Sequence, residues 1–181
     1  TIGFLKYGTN VLVSRKASIY NPEQIVLGDN IRIDDFCILS GNIKLGSYIH
    51  ISAYTCLIGG VKGIILQDFV TVSSRCAVYA VSDDFSGEQL NNSMIPTAYR
   101  SVIEGRVILE DYVSVGTGST ILPGVKLEEG AAVGAMSFVK HTLEGWKIYA
   151  GAPCRYVKDR NQNMKQLRAV LQNSGEYEES R

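Results

Sequence analysis

From Leu27 onward an apolar residue recurs about every six positions, and this period constrains the fold more than any other feature of the chain. An amphipathic helix repeats its apolar stripe every 3.6 residues, whereas a fixed longer period is typical of a solenoid. The hexads also fall into matching triplets, which predicts an all-β fold: a parallel β-helix whose triangular coils each contain three hexads. The first members of the triplets are Leu27, Leu45, Leu66, Leu109 and Leu127; the second are Ile33, Ile51, Val72, Val115 and Val133; the third are Leu39, Leu57, Val78, Ile121 and Val139.

The repeat divides the chain into four expected segments. Residues 1–26 form an N-terminal segment with an incomplete first coil, and residues 27–144 form the β-helix. An end segment covers 145–160, and a C-terminal helix and tail cover 161–181. Because unpaired strand edges at the end of a prism invite association, we expect this helix to cap the open end.

Composition limits the partners. The chain has 18 Lys and Arg residues against 18 Asp and Glu residues, without a basic cluster interleaved with aromatics, so we expect no nucleic acid. It also lacks an apolar stretch long enough for a membrane span, and we expect a cytoplasmic protein. The four cysteines, at positions 37, 56, 76 and 154, lack CxxC spacing and are expected to be free thiols without a metal.

Two interruptions of the ladder both follow the third hexad of a coil, which places them at one corner of the prism. The first, residues 59–63, is short, and the second is a long external loop over 83–106. Long loops at a fixed corner of a solenoid often carry function. The apolar residues within the loop predict that it packs against another subunit.

Three segments in the C-terminal half resemble a known family. They are VGTGSTILPGV at 115–125, GAMS at 134–137 and YAGAP at 149–153. Together they resemble the hexapeptide-repeat acyltransferases, closest to the sugar, galactoside and polysaccharide O-acetyltransferases. The resemblance implies a left-handed β-helix, a homotrimer with active sites between adjacent prisms, and acetyl-CoA as donor. The implied reaction is acetylation of a hydroxyl on a sugar or surface-polysaccharide precursor.

The resemblance also assigns a donor site. It implies that glycine-containing turns hold the pantetheine arm of coenzyme A and that cations near the end of the prism hold its phosphates. The implied residues are Gly116, Thr117, Gly134 and Ala135 for the arm, and Lys140, Arg155, Lys158 and Arg160 for the phosphates. The alternative for the four cations is that they are ordinary solvated charges.

The expected catalytic histidine is missing. Family members commonly begin the long loop with a Tyr-Thr-His-x-His-Asp segment, and aligning Tyr79 with that tyrosine puts Asp83 at the histidine and Asp84 at the following aspartate. A general base works best with a pKa near the ambient pH, which histidine has and aspartate ordinarily lacks. Repulsion and desolvation of adjacent carboxylates would raise the pKa of one of them. His50, supplied by a neighbouring chain, is a further candidate base or substrate contact.

Several alternatives stay open. An amine acceptor would need only a carboxylate to orient it, which gives an N-acetyltransferase of a nucleotide-linked amino sugar. A catalytically degenerate trimeric binding module and a plain Ser-Asp-Asp turn are the non-catalytic hypotheses. A β-helical carbonic anhydrase needs three histidines for zinc, and this chain has two. Phe85, Tyr99 and Arg100 of the loop are candidates for the acceptor site.

Overall fold

Each predicted triplet of hexads forms one coil of a parallel β-helix in the computed structural model, which describes residues 2–174. The solenoid has about seven turns and carries one C-terminal helix. The predicted register is confirmed: Leu27 pairs with Leu45 and Leu45 with Leu66, while Ile33 pairs with Ile51. Residues 175–181 of the predicted tail lie outside the described residues.

The coils present three flat faces, which we number in chain order. The first face consists of β1 (Val11–Val13), β4 (Ile31–Ile33), β6 (Ile49–Ile51), β8 (Thr71–Val72), β13 (Ser114–Val115), β16 (Ala132–Val133) and β18 (Lys147–Ala150). The second face contains β2 (Ser18–Tyr20), β9 (Ala77–Tyr79), β14 (Thr120–Ile121) and β17 (Phe138–Val139). The third face contains β3 (Ile25–Leu27), β12 (Val107–Leu109) and β15 (Lys126–Leu127). Strands β5 (Ile38–Leu45) and β7 (Cys56–Leu66) bend through the corner between the second and third faces and belong to both.

The core is the stack of inward side chains that lead the hexads. These residues are buried because coils spaced about 4.8 Å apart leave no room for water between successive layers. Strands β1 and β2 belong to a further coil on the N-terminal side, and the coils are numbered from it. Its inward residues Val11, Val13 and Ile19 are only partly buried, since they have a neighbouring coil on one side alone.

The C-terminal helix α1 (Met164–Ser174) does not cap the open end, and that expectation is wrong. It lies along the corner between the third and first faces, where Arg168 binds Asp68 at 3.0 Å and Asp111 at 2.7 Å. The Arg168 guanidinium also lies 4.9 Å from the centre of the Phe69 ring. These contacts hold the helix against the side of the prism. The last coil ends instead in β18 and the antiparallel β19 (Arg155–Asp159).

No helix within residues 2–174 is both long enough and apolar enough to cross a membrane.

Candidate active site

The long loop is an arm that starts as a two-stranded ribbon at the corner between the second and third faces. Strand β10 (Val81–Asp83) pairs antiparallel with β11 (Val102–Glu104), and a short 3-10 helix, Thr97–Tyr99, precedes β11. The bend in β7 lies at the same corner, one coil earlier, so the two interruptions do share a corner. Asp83 ends β10 opposite Val102 and is half-buried at the base of the arm.

The neighbouring Asp84 is engaged in holding the arm together. Its carboxylate accepts hydrogen bonds from the Ser86 backbone N–H at 2.9 Å and from the hydroxyls of Ser86 and Ser101, each at 3.0 Å. These bonds, first that from the Ser86 backbone, lower the pKa of Asp84. Asp84 thus shows the opposite of the raised pKa expected for one of the two carboxyls, because its bonds favour the ionised form.

The three acceptor-site candidates all lie on the outer part of the arm. Phe85 and Tyr99 are 78% and 63% exposed. Arg100 is half-buried, and its Nε atom is buried without a hydrogen-bond partner among the described residues. The chain by itself leaves Phe85 and Tyr99 uncovered.

His50 lies far from the arm in the fold of one chain. It projects from β6 on the first face, where its Nε2 atom is 2.8 Å from Asp34 Oδ2. Asp34 also accepts a bond from Arg32 Nε at 2.7 Å, and although partial burial raises the pKa of Asp34, the bonds from Arg32 and His50 lower it overall. The structure therefore does not bring His50 and Asp83 together within one chain.

The predicted donor turns lie at the corner between the first and second faces. The Gly116 N–H donates to Val133 at 2.8 Å, and a Cβ at Gly116 would lie 2.5 Å from Ala135 N, so close stacking of coils requires this glycine. Thr117 and Ala135 are exposed, and within residues 2–174 their backbone N–H groups have no hydrogen-bond partner. Gly134 lies beside Ala135 with its own N–H bonded to Tyr149. The two free N–H groups, one coil apart, can bind amide carbonyls of an extended ligand.

The four predicted phosphate contacts do not form one cluster. Lys140 is exposed at the corner that bears the arm, and Arg155 and Lys158 are exposed on β19. Arg160 is different: its guanidinium donates to the carbonyls of Tyr112 and Gly130 at 2.8 and 2.9 Å and to the Ser114 hydroxyl at 3.0 Å.

Burial lowers the pKa of Arg160, as expected for a cation partly withdrawn from water. Its bonds tie the end segment to the corner between the third and first faces, so Arg160 stabilises the fold. Sequence reasoning missed this role because Tyr112 is 48 residues away along the chain.

Asp83 and the donor turns occupy different corners of the same prism. They are separated by the width of the second face, which at about 3.3 Å per residue and some five residues is roughly 16 Å. Within one chain, Asp83 and the donor turns therefore lie at opposite edges of the second face.

No group of three or more His, Cys, Asp or Glu side chains in residues 2–174 is arranged to hold a metal ion.

The known proteins that this chain resembles in sequence are named as acyltransferases or acetyltransferases. No family model matches the sequence. It is 38% identical over 176 residues, 96% of this chain and 91% of the relative, to the dTDP-4-amino-4,6-dideoxy-D-glucose acyltransferase of Escherichia coli. It is 25% identical over 157 residues, 84% of this chain and 78% of the relative, to the putative lipopolysaccharide biosynthesis O-acetyl transferase WbbJ of Escherichia coli K12.

Among solved structures, the chain is similar to AntD, an N-acyltransferase from Bacillus cereus. A variant of AntD in complex with dTDP-4-amino-4,6-dideoxyglucose and coenzyme A superposes with a TM-score of 0.94 at 52% identity, covering 96% of this chain and 93% of AntD. A further AntD structure contains dTDP and 3-hydroxybutyryl-CoA, at 53% identity and a TM-score of 0.94.

Proposed function

Because this chain belongs to the hexapeptide-repeat, left-handed β-helix acyltransferases, we propose that it transfers an acyl group from acyl-CoA to the amine of a nucleotide-linked amino sugar. The observation that carries the choice of acceptor is the aspartate at position 83, where sugar O-acetyltransferases of this family commonly have a histidine. The names of the two most similar proteins described above point to the same acceptor.

An amine acceptor removes the need for a strong base. A sugar hydroxyl must lose its proton as it attacks the thioester, whereas an unprotonated amine already has a free electron pair. In the proposed step the amine nitrogen forms a bond to the thioester carbonyl carbon, and the carbon–sulfur bond breaks. One amine proton is released, and the departing CoA thiolate takes up a proton to become the thiol. The Asp83 carboxylate accepts a hydrogen bond from the amine and orients it for attack.

The donor binds, in this proposal, at the exposed turns of the corner between the first and second faces. The free N–H groups of Thr117 and Ala135 bond the amides of the pantetheine arm, and Arg155 and Lys158 supply charge for the phosphates. Lys140, at the corner that bears the arm, adds charge from the neighbouring chain. Acetyl-CoA is the expected donor. The 3-hydroxybutyryl-CoA bound by AntD makes a longer acyl group the second donor to test.

The active form in this proposal is a homotrimer. The separation of the donor turns from Asp83 requires a second chain, and the arm presents exposed apolar side chains, including Met94 at 89% and Leu90 at 60%. Packing the arm of one prism against the donor corner of the next buries these residues and closes a ring with rotational symmetry.

The proposal is tested with purified protein, acetyl-CoA and dTDP-4-amino-4,6-dideoxyglucose, with product followed by mass spectrometry. We expect acceptor-dependent release of CoA and an acylated sugar that survives mild alkali, as an amide does and an ester does not. Matched reactions contain the 4-hydroxy analogue of the sugar. Transfer to the hydroxyl analogue alone, or an alkali-labile product, would refute the amine acceptor.

A further inference from the structure

The corner that carries the donor turns also bears a ridge of large side chains in the N-terminal coils. At the same turn position the second, third and fourth coils have Phe36, Tyr54 and Arg75, with φ values of 60°, 64° and 60°. The rings of Phe36 and Tyr54 stack with centroids 4.9 Å apart and an interplanar angle of 21°. They remain 46% and 58% exposed.

The turn itself does not require aromatic side chains. Left-handed backbone is tolerated best by glycine and asparagine, and bulky residues adopt it at a cost. Position 118, the next coil along this ridge, is glycine with φ 73°, so the turn forms without an aromatic side chain. Tyr48, Phe69 and Tyr112 have the same left-handed conformation at another corner, and what distinguishes Phe36 and Tyr54 is that both stacked rings stay exposed, as a ligand contact requires.

The other aromatic ladder of the molecule provides a contrast. At the corner between the third and first faces Tyr48, Phe69 and Tyr112 stack at 4.7 and 5.6 Å, and α1 covers part of this ladder. Arg168 lies over the rings of Phe69 and Tyr112, and Lys165 lies over Trp146. The chain thus covers one ladder with its own helix and cations.

At the donor corner the chain covers only one end of the stack. Lys16 lies 5.4 Å from the centre of the Phe36 ring and is paired with Asp35 at 2.8 Å. Within residues 2–174, no ring or cation other than Phe36 is stacked on Tyr54. Phe36 therefore supports Tyr54 from the N-terminal side, and Tyr54 remains 58% exposed.

The ridge lies on the N-terminal side of the donor turns along the same corner. Tyr54 is in the third coil, Arg75 in the fourth, and Gly116-Thr117 in the fifth, so about 10 Å separates the Tyr54 turn from the first donor turn. Arg75 is exposed and has no ion pair among the described residues. An aromatic platform, a free guanidinium and the donor turns thus follow one another along a single edge.

We propose that Tyr54, supported by Phe36, is the stacking platform for the base of the nucleotide-linked acceptor, and that Arg75 binds its diphosphate. This inference rests on the nucleotide-linked acceptor proposed above. Base–aromatic stacking tolerates any base, and a guanidinium forms paired bonds to phosphate oxygens. The acceptor then enters from the N-terminal end of the cleft and the donor from the C-terminal end, and the sugar amine meets the thioester between them.

The test is isothermal titration calorimetry of the full chain with dTDP, thymidine and coenzyme A. Tyr54→Leu is expected to weaken both dTDP and thymidine about 5- to 100-fold, as loss of one stacked base predicts, while Tyr54→Phe binds like the wild type. Arg75→Met is expected to weaken dTDP and leave thymidine unchanged. Coenzyme A binding stays at the wild-type value in all three. The matched control is Tyr7→Leu, since Tyr7 has a similar 56% exposure at the N-terminal end of the prism.

Two outcomes would overturn the inference. The first is wild-type binding of dTDP and thymidine by Tyr54→Leu. The second is a change of oligomeric state of that variant in size-exclusion chromatography with light scattering, which would make the ridge a subunit contact. Failure of the proposed function has a different signature: the wild-type protein acylates no amino sugar. If the wild type acylates the amino sugar and Tyr54→Leu binds dTDP and thymidine as the wild type does, only the stacking role of Tyr54 is refuted.

Discussion

Replacing Arg160 by methionine tests whether this cation stabilises the fold or binds acyl-CoA, as proposed for the cations of the donor site. Besides a weaker bond to Met164 Sδ at 3.4 Å, the guanidinium donates three hydrogen bonds to oxygen atoms on two coils, at 2.8, 2.9 and 3.0 Å. Hydrogen bonds to charged groups contribute about 1.5–3 kcal/mol each. Burial already disfavours this charge, so we take a lower figure of about 1 kcal/mol per bond and expect a loss of about 3 kcal/mol. For a chain of this size that is a fall in Tm of roughly 6–12 °C.

The assay combines thermal unfolding by circular dichroism with the KM for acyl-CoA at 25 °C. Arg160→Met is expected to lower Tm and leave the KM for acyl-CoA within about twofold of the wild type. Arg155→Met and Lys158→Met are the controls, because both side chains are exposed on β19. They are expected to leave Tm unchanged and to raise the KM for acyl-CoA. Arg160→Lys should also destabilise, since lysine keeps the charge without the planar fork. A wild-type Tm for Arg160→Met together with a tenfold higher KM would refute the structural role.

Three further predictions concern the arm, the turns and pH. Asp83→Ala is expected to lower kcat about 100-fold with little change in Tm, because the amine is no longer oriented for attack, and unchanged turnover of the amino sugar would remove Asp83 from the site. Gly130→Ala should lower Tm by more than Gly87→Ala: both have positive φ, but the added Cβ at Gly130 would lie 2.4 Å from the Trp146 ring, whereas Gly87 has open space. The intrinsic fluorescence of Trp146, the single tryptophan, should change only in Gly130→Ala. The lowered pKa of Asp84 stabilises the arm above about pH 4, and this contribution is lost as pH falls through that lowered pKa. Hydrogen exchange of the arm, measured relative to the intrinsic rate at each pH, should therefore accelerate there in the wild type and not in Asp84→Asn. Equal pH profiles of the two proteins would contradict this role of Asp84.

The repeat was readable from sequence because each hexad buries its leading residue locally. The Leu27 and Ile33 series identified the faces, and counting triplets put both interruptions at one corner, as the pairing of β5, β7 and β9 confirms. The first coil was harder to see, since Val11, Val13 and Ile19 are only partly buried and the step from Ile19 to Leu27 is longer than a hexad. Family resemblance supplied the reaction class and the donor turns. Asp83 was found by alignment with a family segment, and no feature of the hexads would have identified it.

The sequence by itself determined the coil, the register and the position of the arm, because a six-residue period is a local property that every coil repeats. Only the tertiary structure decided where α1 lies, that Arg160 clamps two coils, and that the rings of Phe36 and Tyr54 stack. Those contacts join residues 18 to 100 positions apart and are made by outward side chains, which the hexad period leaves unspecified. A periodic pattern specifies which side chains point inward. It does not specify which outward side chains meet, since that depends on the full path of the chain around the prism.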